Sequence, residues 1–364
     1  MSAPLSPDHA LIAHSTQPLN AEPPLHRLRA NFRTQVADFY IRSHGDMPHL
    51  DPATHRVRVA GRVARPLDLS LGDLQAGSAP KNVMAVLQCA GNRRADLQVV
   101  GCTSGDHWAP GAIGHAEWTG AALADVLHAA GVSETDGLHV AFEGADVAEN
   151  EGAEDAPYGV SIPLAKAMSG DVLLAWAMNG EPLAREHGAP LRVVVPGFAG
   201  VRSTKWIRDI RVQDRPSDAF QQAHDYLLFP PDMRAATQDP IRGVTIDEMP
   251  LNAAICEPAP GSSLPEGSTT IRGYAIATDR AIARVDVSVD GGRQWRQATI
   301  EDHGGARWSW TFWHATLDLL TGEHELVVRA WDAAGQTQPA LADDVWNFKG
   351  YLSAAWHRVR VVVL

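Results

Sequence analysis

The chain has few cysteines and lacks the positive charge that nucleic-acid binding requires. Only Cys89, Cys102 and Cys256 occur in 364 residues, with no CxxC pair. Such spacing excludes a disulfide framework and gives no sign of a zinc site. The formal net charge of −12 argues against nucleic-acid binding, because phosphate neutralisation needs a basic face, but it leaves room for a local pocket that binds a small anion. No apolar run approaches the roughly 20 residues of a membrane span.

The N-terminal segment, Met1 to Ala30, also lacks a recognisable pattern. It is rich in proline, histidine and leucine without periodicity, and no charged stretch precedes an apolar core. No twin-arginine pair precedes an apolar run. The segment therefore does not resemble a signal peptide, and we expect a flexible or surface-draped tail and a cytoplasmic protein.

Residues 31–245 show short strands and helices without a regular βαβ rhythm, which predicts an α+β domain. Helices are predicted at Leu71–Gln75 behind the capping residue Ser70, at Thr119–Ala130, where Gly131 provides the stop, and from Ser161 through Met168. Strands and turns are predicted around Val57 and Val59, at Asn179-Gly180 and at Leu191–Val195.

Residues 246–364 have a different character, with turns about every 8–12 residues, as in an all-β sandwich. The stretch from Cys256 to Gly261 fits a linker or a first edge strand. Further strands are predicted at Thr270–Ala277, Ala283–Val289, Trp308–Trp313, Glu325–Trp331 and Trp356–Leu364, with a turn at Asp290-Gly291-Gly292.

Cys89 closes an apolar strand-like run and is followed by an Ala-Gly-Asn turn, Arg93 and Arg94. A cysteine at a strand end is most often a small core residue. The permissive turn and the two cations favour a reactive thiolate instead, since neighbouring guanidinium groups lower a thiol pKa. Such a thiolate suits either a nucleophile or a metal ligand, and the sequence leaves both open.

Other candidates point to an anion. His187 precedes the predicted strand that contains Arg192, and an arginine there needs a partner for its head group, either a carboxylate or an anionic ligand. Ser203 and Lys205 follow a glycine and suit a phosphate. Arg42 and His44 lie two residues apart in an extended segment, where they either flank an anion or form an exposed polar edge.

Taken in order, these segments resemble the sulfite oxidase family of molybdenum enzymes. The resemblance runs from about residue 38 to the end of the chain. It is carried by Tyr-Ile-Arg-Ser-His (40–44), Leu-Gln-Cys-Ala-Gly-Asn-Arg-Arg (87–94), Pro-Tyr-Gly-Val-Ser-Ile-Pro-Leu (157–164), Met-Asn-Gly-Glu-Pro-Leu (178–183), His-Gly-Ala-Pro-Leu-Arg-Val-Val-Val-Pro-Gly (187–197) and Trp-Asn-Phe-Lys-Gly (346–350).

The resemblance implies a molybdenum–molybdopterin cofactor and oxidation of sulfite to sulfate by oxo transfer. No His-Pro-Gly-Gly signature occurs, so we expect no haem domain. The resemblance also implies that the Cys89 thiolate binds the metal, because a soft sulfur donor suits a metal that also carries the pterin sulfurs. The implied cofactor contacts are Tyr40, Ile41, Arg42, Ser43, His44, Asp146, His187, Arg192, Ser203, Thr204 and Lys205. The implied pocket for the substrate consists of Arg42, Arg94, Trp108, Tyr226 and Lys349.

Two positions depart from the family pattern. Lys349 stands where the family carries an arginine, which keeps the charge but loses the bidentate fork. The stretch from Thr103 to Trp108 lacks the family's lysine, so the predicted pocket is less basic.

The resemblance further implies a homodimer through an immunoglobulin-like C-terminal domain, and an external electron acceptor, either a cytochrome or oxygen. Nitrate reduction, or another oxo transfer at the same metal, is the rival activity. A cofactor-free binding or assembly protein is the rival from another class.

Overall fold

A computed structural model describes residues 11–133, 137–304 and 306–364. Strands dominate in all three parts of the chain. The N-terminal segment contains β1 (Ile12–Thr16), β2 (Leu19–Glu22) and α1 (Leu25–Ala30). The α+β domain contains β3 (Ile41–Arg42), β4 (Arg56–Gly61), β5 (Leu67–Ser70), α2 (Leu71–Gly77), β6 (Lys81–Gln88), β7 (Ile113–Ala122), α3 (Leu123–Ala129), β8 (His139–Ala148), β9 (Ala156–Pro163), α4 (Leu164–Ala167), β10 (Leu173–Met178), β11 (Glu181–Pro182), β12 (Arg192–Val194), β13 (Ile207–Gln213), β14 (Leu227–Leu228) and β15 (Val244–Thr245).

The C-terminal domain is built from strands, as predicted. It contains β16 (Asn252–Glu257), β17 (Ser263–Leu264), β18 (Gly267–Ile276), β19 (Ile282–Ser288), β20 (Arg296–Gln297), β21 (Thr299–Ile300), β22 (Thr311–Leu319), β23 (Gly322–Asp332) and β24 (His357–Val363). Two sheets, β16-β18-β22-β21 and β17-β24-β23-β19-β20, enclose one core. β16 includes Cys256 and Glu257. The edge-strand alternative is therefore correct for the first two residues of the stretch from Cys256 to Gly261.

Two sheets organise the α+β domain, in the orders β11-β10-β7-β6 and β5-β4-β13-β8-β9, with β12 pairing β10. Local signals in the sequence account for several elements. The Ser70 hydroxyl accepts a hydrogen bond from the Asp73 amide, and a capping box starts α2. Asn179 and Gly180 both have positive φ in the turn between β10 and β11. The α+β class and the sandwich are confirmed.

Two predicted helices begin too early. Thr119 to Ala122 belong to β7, where Ala121 and Ala122 pair with Leu174 and Leu173, and α3 starts only at Leu123. Ser161 belongs to β9 and pairs with Ala141, and α4 starts at Leu164. In both cases partners distant in sequence satisfy the backbone groups, and tertiary pairing outweighs local propensity.

The N-terminal segment is not a tail over its described part. β2 pairs with β3, and α1 packs against the sandwich strand β16. Asn20, Ala21, Glu22 and Leu28 are buried. The segment lacked periodicity because its strands are short and its buried residues are partly polar. Residues 1–10 of the expected tail lie outside the described residues.

Arg93 joins the α+β domain to the sandwich. It is fully buried with φ of 64° and lies just before a short 3₁₀ turn, Arg94–Val99. Its guanidinium donates to Asp96 Oδ2 (2.8 Å), Asn252 Oδ1 (2.6 Å) and the carbonyls of Ala253 (3.1 Å) and Ala355 (2.8 Å). Of the two arginines after Cys89, this one therefore serves the domain junction.

Two buried histidines at this junction predict a loss of stability in acid. Burial lowers the pKa of His115 and of His357 to about 4. His357 Nδ1 accepts from the Ile255 amide at 3.0 Å, which requires an unprotonated nitrogen. The unfolded chain, with an ordinary histidine pKa near 6.5, binds more protons, so stability falls as the pH falls from about 6.5 to about 4.

We expect the free energy of unfolding in urea to drop by about 2 kcal/mol per histidine between about pH 7 and about pH 5. His115→Gln should reduce this drop by about 2 kcal/mol. His26→Gln, at an exposed position, is the matched control and should leave it unchanged. Equal pH dependence in the parent and in His115→Gln would contradict the assignment.

Candidate active site

An inner cavity opens where β3, the end of β6 and the loops around β12 converge. The space there is about 620 Å³ including open solvent. It is lined by Phe39, Tyr40, Arg42, His44, Leu87, Cys89, Asp146, Tyr158, Glu186, His187, Arg192, Gly200, Val201, Ser203, Lys205 and Tyr226. Most of the residues predicted to hold the cofactor thus surround one space, although they come from distant parts of the sequence.

A larger outer cavity, about 2010 Å³ including open solvent, adjoins it. Its lining includes Ser15, Asn20, Arg94, Asp106, Asp225, Lys349 and Tyr351. Arg42 and His44 line both cavities, so the two spaces meet at this pair. A group held in the inner cavity can therefore face a small molecule that enters from the outer one.

Cys89 lies directly after β6 with its thiol towards the inner cavity. Its amide donates to the Ala112 carbonyl at 2.9 Å, and its Sγ accepts from the Gly91 amide at 3.4 Å. Burial raises the pKa of the Cys89 thiol, and Arg42 and Arg94 offset this only in part. The prediction that the neighbouring arginines lower the pKa of Cys89 is therefore wrong. Only 6% of the residue is exposed, and the effect of desolvation is larger than that of the arginines.

Arg94 projects into the outer cavity through a gap kept open by glycine. A Cβ on Gly91 would lie 2.7 Å from Arg94 Nη2, and one on Gly105 would lie 2.7 Å from Nη1. The guanidinium donates to the Asp106 carbonyl at 2.9 Å and stands 5.1 Å from the centre of the Tyr351 ring. A larger residue at position 91 or 105 would therefore require the Arg94 guanidinium to shift.

The far part of the inner cavity combines two cations with a carboxylate. Arg192 donates to the carbonyls of His187 (2.9 Å) and Ser203 (3.0 Å), and Lys205 donates to the Glu186 carbonyl (2.9 Å) and to Ser43 Oγ (3.1 Å). Of the two partners that the sequence left open for Arg192, a carboxylate is not the one observed, because Arg192 donates to neutral carbonyl oxygens.

Burial shifts the pKa of each charged group here towards its neutral form. It lowers the pKa of Lys205 to about 7, helped by Arg192, and lowers that of Arg192 to about 10. It raises the pKa of Asp146 to about 6, which Lys205 partly opposes. An anion beside Lys205 and Arg192 would raise both pKa values again, because it favours their charged forms. This end of the cavity therefore has the chemistry of a phosphate site.

His44 and Tyr226 form a pair at the meeting point of the cavities, with Nε2 and the hydroxyl oxygen 2.6 Å apart. Burial, followed by the charges of Arg42 and Lys205, holds the pKa of His44 well below its ordinary value. The imidazole is therefore neutral at pH 7. The Tyr226 ring stacks on that of Tyr351 with centroids 5.1 Å apart.

Lys349 lines the outer cavity but carries its own counter-ion. Its Nζ lies 2.9 Å from Asp225 Oδ1, and the Tyr351 hydroxyl donates to the same oxygen at 3.2 Å. The charge of Lys349 is therefore partly compensated, whereas Arg42 and Arg94 donate to neutral acceptors.

Four predicted site residues lie behind the cavity walls. Ile41, Ser43 and Thr204 are at most 1% exposed, and Thr204 Oγ1 is buried without a hydrogen-bond partner among the described residues. Trp108, also 1% exposed, packs with its ring 4.6 Å from that of His14. These residues are placed to support the side chains that line the cavities. Ser43 contacts one of them directly, since its Oγ accepts a hydrogen bond from Lys205.

The residues present fit a molybdopterin. Asp146 Oδ1, on the lining, is buried with no hydrogen-bond partner among the described residues, so it is available to a bound donor. In residues 11–133, 137–304 and 306–364, no three His, Cys, Asp or Glu side chains form a metal-binding group. The expectation from the sequence is one thiolate ligand, Cys89, on a metal that the cofactor carries.

Comparison with known proteins agrees with this reading. Residues 44–221 match the oxidoreductase molybdopterin binding domain, and residues 244–364 match the Mo-co oxidoreductase dimerisation domain. Sulfite oxidase of Gallus gallus is 42% identical in an alignment of 357 residues that covers 96% of this chain and 77% of that protein. The chain belongs to the sulfite oxidase family.

Other family members differ in length. The mitochondrial sulfite oxidase of Homo sapiens is also 42% identical, and the chain covers 66% of it. A nitrate reductase of Hordeum vulgare is more distant, at 36% identity, with 41% of its length covered. Among solved structures, the sulfane dehydrogenase SoxCD of Paracoccus pantotrophus superposes with a TM-score of 0.81 at 29% identity, over 94% of this chain and 84% of the other.

Sequence reasoning missed several residues of the site. Asn20 was assigned to a tail, and no local signal marks it. Asp225 and Tyr351 flank the recognised Tyr226 and Lys349 closely in sequence, so their proximity was the available signal.

No helix in the described ranges is long and apolar enough to cross a membrane.

Proposed function

We propose that this protein binds a molybdenum–molybdopterin cofactor in the inner cavity and oxidises sulfite to sulfate at its junction with the outer cavity. One observation carries the proposal. The Cys89 thiol and the Arg42 guanidinium line the same inner cavity, and Arg42 also lines the solvent-connected one. The thiol that we propose as metal ligand and the cation that we propose to bind the anion therefore line a shared space.

In this proposal Cys89 is the protein ligand of the metal. Arg192 and Lys205 hold the phosphate of the pterin by charge-assisted hydrogen bonds, and Asp146 accepts from its ring. When bound, the cofactor supplies the oxo transfer and the two-electron redox change. The protein supplies orientation and electrostatics around it.

The substrate is held by fixed positive charge. Arg94 is 6% exposed and Arg42 is partly buried, and both donate to neutral acceptors, so their charges act on an anion in the cavity. Preorganised cations in a water-poor site stabilise developing negative charge without reorganisation. The Tyr226 hydroxyl, oriented by neutral His44, provides a further polar contact.

The matched dimerisation domain supports a homodimer through residues 244–364. Electrons would leave to an external one-electron acceptor, a cytochrome or oxygen. The cytoplasmic location and the lack of a haem domain stay predictions from the sequence.

The decisive experiment compares substrates on molybdenum-loaded protein from a host that makes the cofactor. We expect about one molybdenum per chain and sulfite-dependent reduction of ferricyanide, an artificial acceptor. Nitrate reduction without sulfite oxidation would assign the rival activity. Protein from such a host that contains neither molybdenum nor pterin would support the cofactor-free alternative.

Lys349→Arg tests the departure from the family pattern. Arginine can bind Asp225 with one edge and keep further N–H groups for the cavity, which lysine cannot do. We expect the KM for sulfite to fall by about threefold to tenfold, with kcat changed by less than about twofold. Steady-state kinetics with ferricyanide measure both constants. Unchanged kinetics would mean that the bidentate guanidinium, which lysine at position 349 lacks, does not affect sulfite oxidation.

A further inference from the structure

The N-terminal hairpin of β1 and β2 forms part of the outer cavity. Ser15, Pro18 and Asn20 line that cavity, although residues 11–30 precede the matched molybdopterin-binding domain. β2 pairs with β3 so that Asn20 stands opposite Arg42 and Ala21 opposite Ile41. The strand pairing therefore fixes a side chain from the start of the chain beside a cation of the site.

The Asn20 side chain makes three hydrogen bonds beside Arg42. Its Oδ1 accepts from Arg42 Nη1 at 3.3 Å and from the Ser43 amide at 2.9 Å, while its Nδ2 donates to Ser15 Oγ at 2.9 Å. Ser15 Oγ in turn donates to the Pro18 carbonyl at 2.7 Å. Asn20 is 3% exposed, so these bonds hold its amide in one orientation.

The hairpin is also anchored on its other side. The buried Glu22 carboxylate accepts from the amides of Ala109 (2.8 Å) and Gly111 (2.9 Å), and lies 2.7 Å from His14 Nε2. These contacts tie β2 to the loop that follows Trp108. Asn20 is thus held on a rigid element.

A neutral partner leaves the charge of Arg42 available. Arg42 donates to Asn20 Oδ1 and to the Ser43 carbonyl, both of them neutral acceptors. Lys349, by contrast, is paired with the Asp225 carboxylate. An amide at position 20 orients the guanidinium without cancelling its field, and a carboxylate there would cancel much of it.

We propose that Asn20 is a positioning residue that orients the Arg42 guanidinium towards the anion and, by being neutral, sets the anion affinity of the outer cavity. This inference rests on the proposed function for the identity of the anion. Asn20 acts through Arg42.

Asn20→Asp is the sharpest test, because it preserves the shape and the acceptor oxygen while adding one negative charge. In molybdenum-loaded protein we expect the KM for sulfite to rise at least about tenfold with kcat changed by less than about threefold. Sulfate binding, measured by titration calorimetry and independent of turnover, should weaken at least about tenfold. Asn20→Ala, which loses orientation but adds no charge, should weaken it by about threefold to fivefold.

Gln17→Glu is the matched control. Gln17 is exposed in the turn of the same hairpin, and this substitution adds the same charge as Asn20→Asp. It should leave KM, sulfate affinity and molybdenum content unchanged. Sulfate affinity in Asn20→Asp within about twofold of the parent would overturn the inference. So would a loss of molybdenum from that variant, since Asn20 would then serve the cofactor through Ser43.

A parent protein that does not oxidise sulfite would refute the proposed function alone. The sulfate titrations would still decide the role of Asn20, because they do not depend on turnover. If Asn20→Asp fails to fold, Asn20→Ser retains a shorter neutral acceptor. It should bind sulfate more weakly than the parent, and parental affinity would count against the inference.

Discussion

Cys89→Ser should abolish sulfite-dependent reduction of ferricyanide, lowering kcat by at least about a hundredfold. A serine hydroxyl is a hard, weakly acidic donor and does not replace a thiolate on a metal that favours sulfur ligands. Serine can still accept the hydrogen bond from the Gly91 amide, so we expect the fold to persist. Steady-state kinetics, molybdenum content and the far-ultraviolet circular dichroism spectrum check the three parts of this prediction.

The two other cysteines provide controls. Cys102 is exposed, and Cys256 is buried in the cluster between the sandwich and the α+β domain, with a thiol pKa raised to about 12 by burial. Cys102→Ser should leave activity and stability unchanged. Cys256→Ser should lower the free energy of unfolding by about 1–3 kcal/mol while the folded protein stays active. Substantial activity in Cys89→Ser would remove this residue as the metal ligand.

Arg93→Ala should lower the free energy of unfolding by about 3–5 kcal/mol, the cost of breaking a buried charged network from one side. The substitution leaves Asn252 Oδ1 and the carbonyls of Ala253 and Ala355 without their donor at the domain junction. Urea unfolding, followed by tryptophan fluorescence, measures the change.

Arg62→Ala is the matched control, because Arg62 pairs with Asp214 at 2.7 Å and both side chains are more than half exposed. Exposed pairs contribute about 0–1 kcal/mol, so this variant should stay close to the parent. A loss below about 1 kcal/mol in Arg93→Ala would show that the junction does not depend on Arg93.

Much of the fold could be predicted where the determinants are local in sequence. Ser70 caps a helix, Asn179-Gly180 makes a turn, and alternating residues such as Val57 and Val59 mark a strand. These features depend on neighbours within a few residues. The motifs around Cys89 and Arg192 are local as well, but their assignment to one site came from the resemblance to the sulfite oxidase family.

The rest depends on partners distant in sequence. Thr119 to Ala122 have helix-compatible periodicity but are held in β7 by β10. The pKa of Cys89 follows the desolvation of the folded site, which its neighbouring residues do not report. Arg93 and Arg94 are equivalent in the sequence, yet the left-handed backbone at Arg93 turns one towards the sandwich and leaves the other at the cavity.

The outer cavity is lined by segments that lie far apart in the sequence. Ser15 and Asn20 form one side of it, and Phe348, Lys349 and Tyr351 contribute another. During synthesis the first side leaves the ribosome long before the second. The cavity therefore gains its full outline only after residue 351 has emerged, and a chain that stops before residue 348 lacks one side of it.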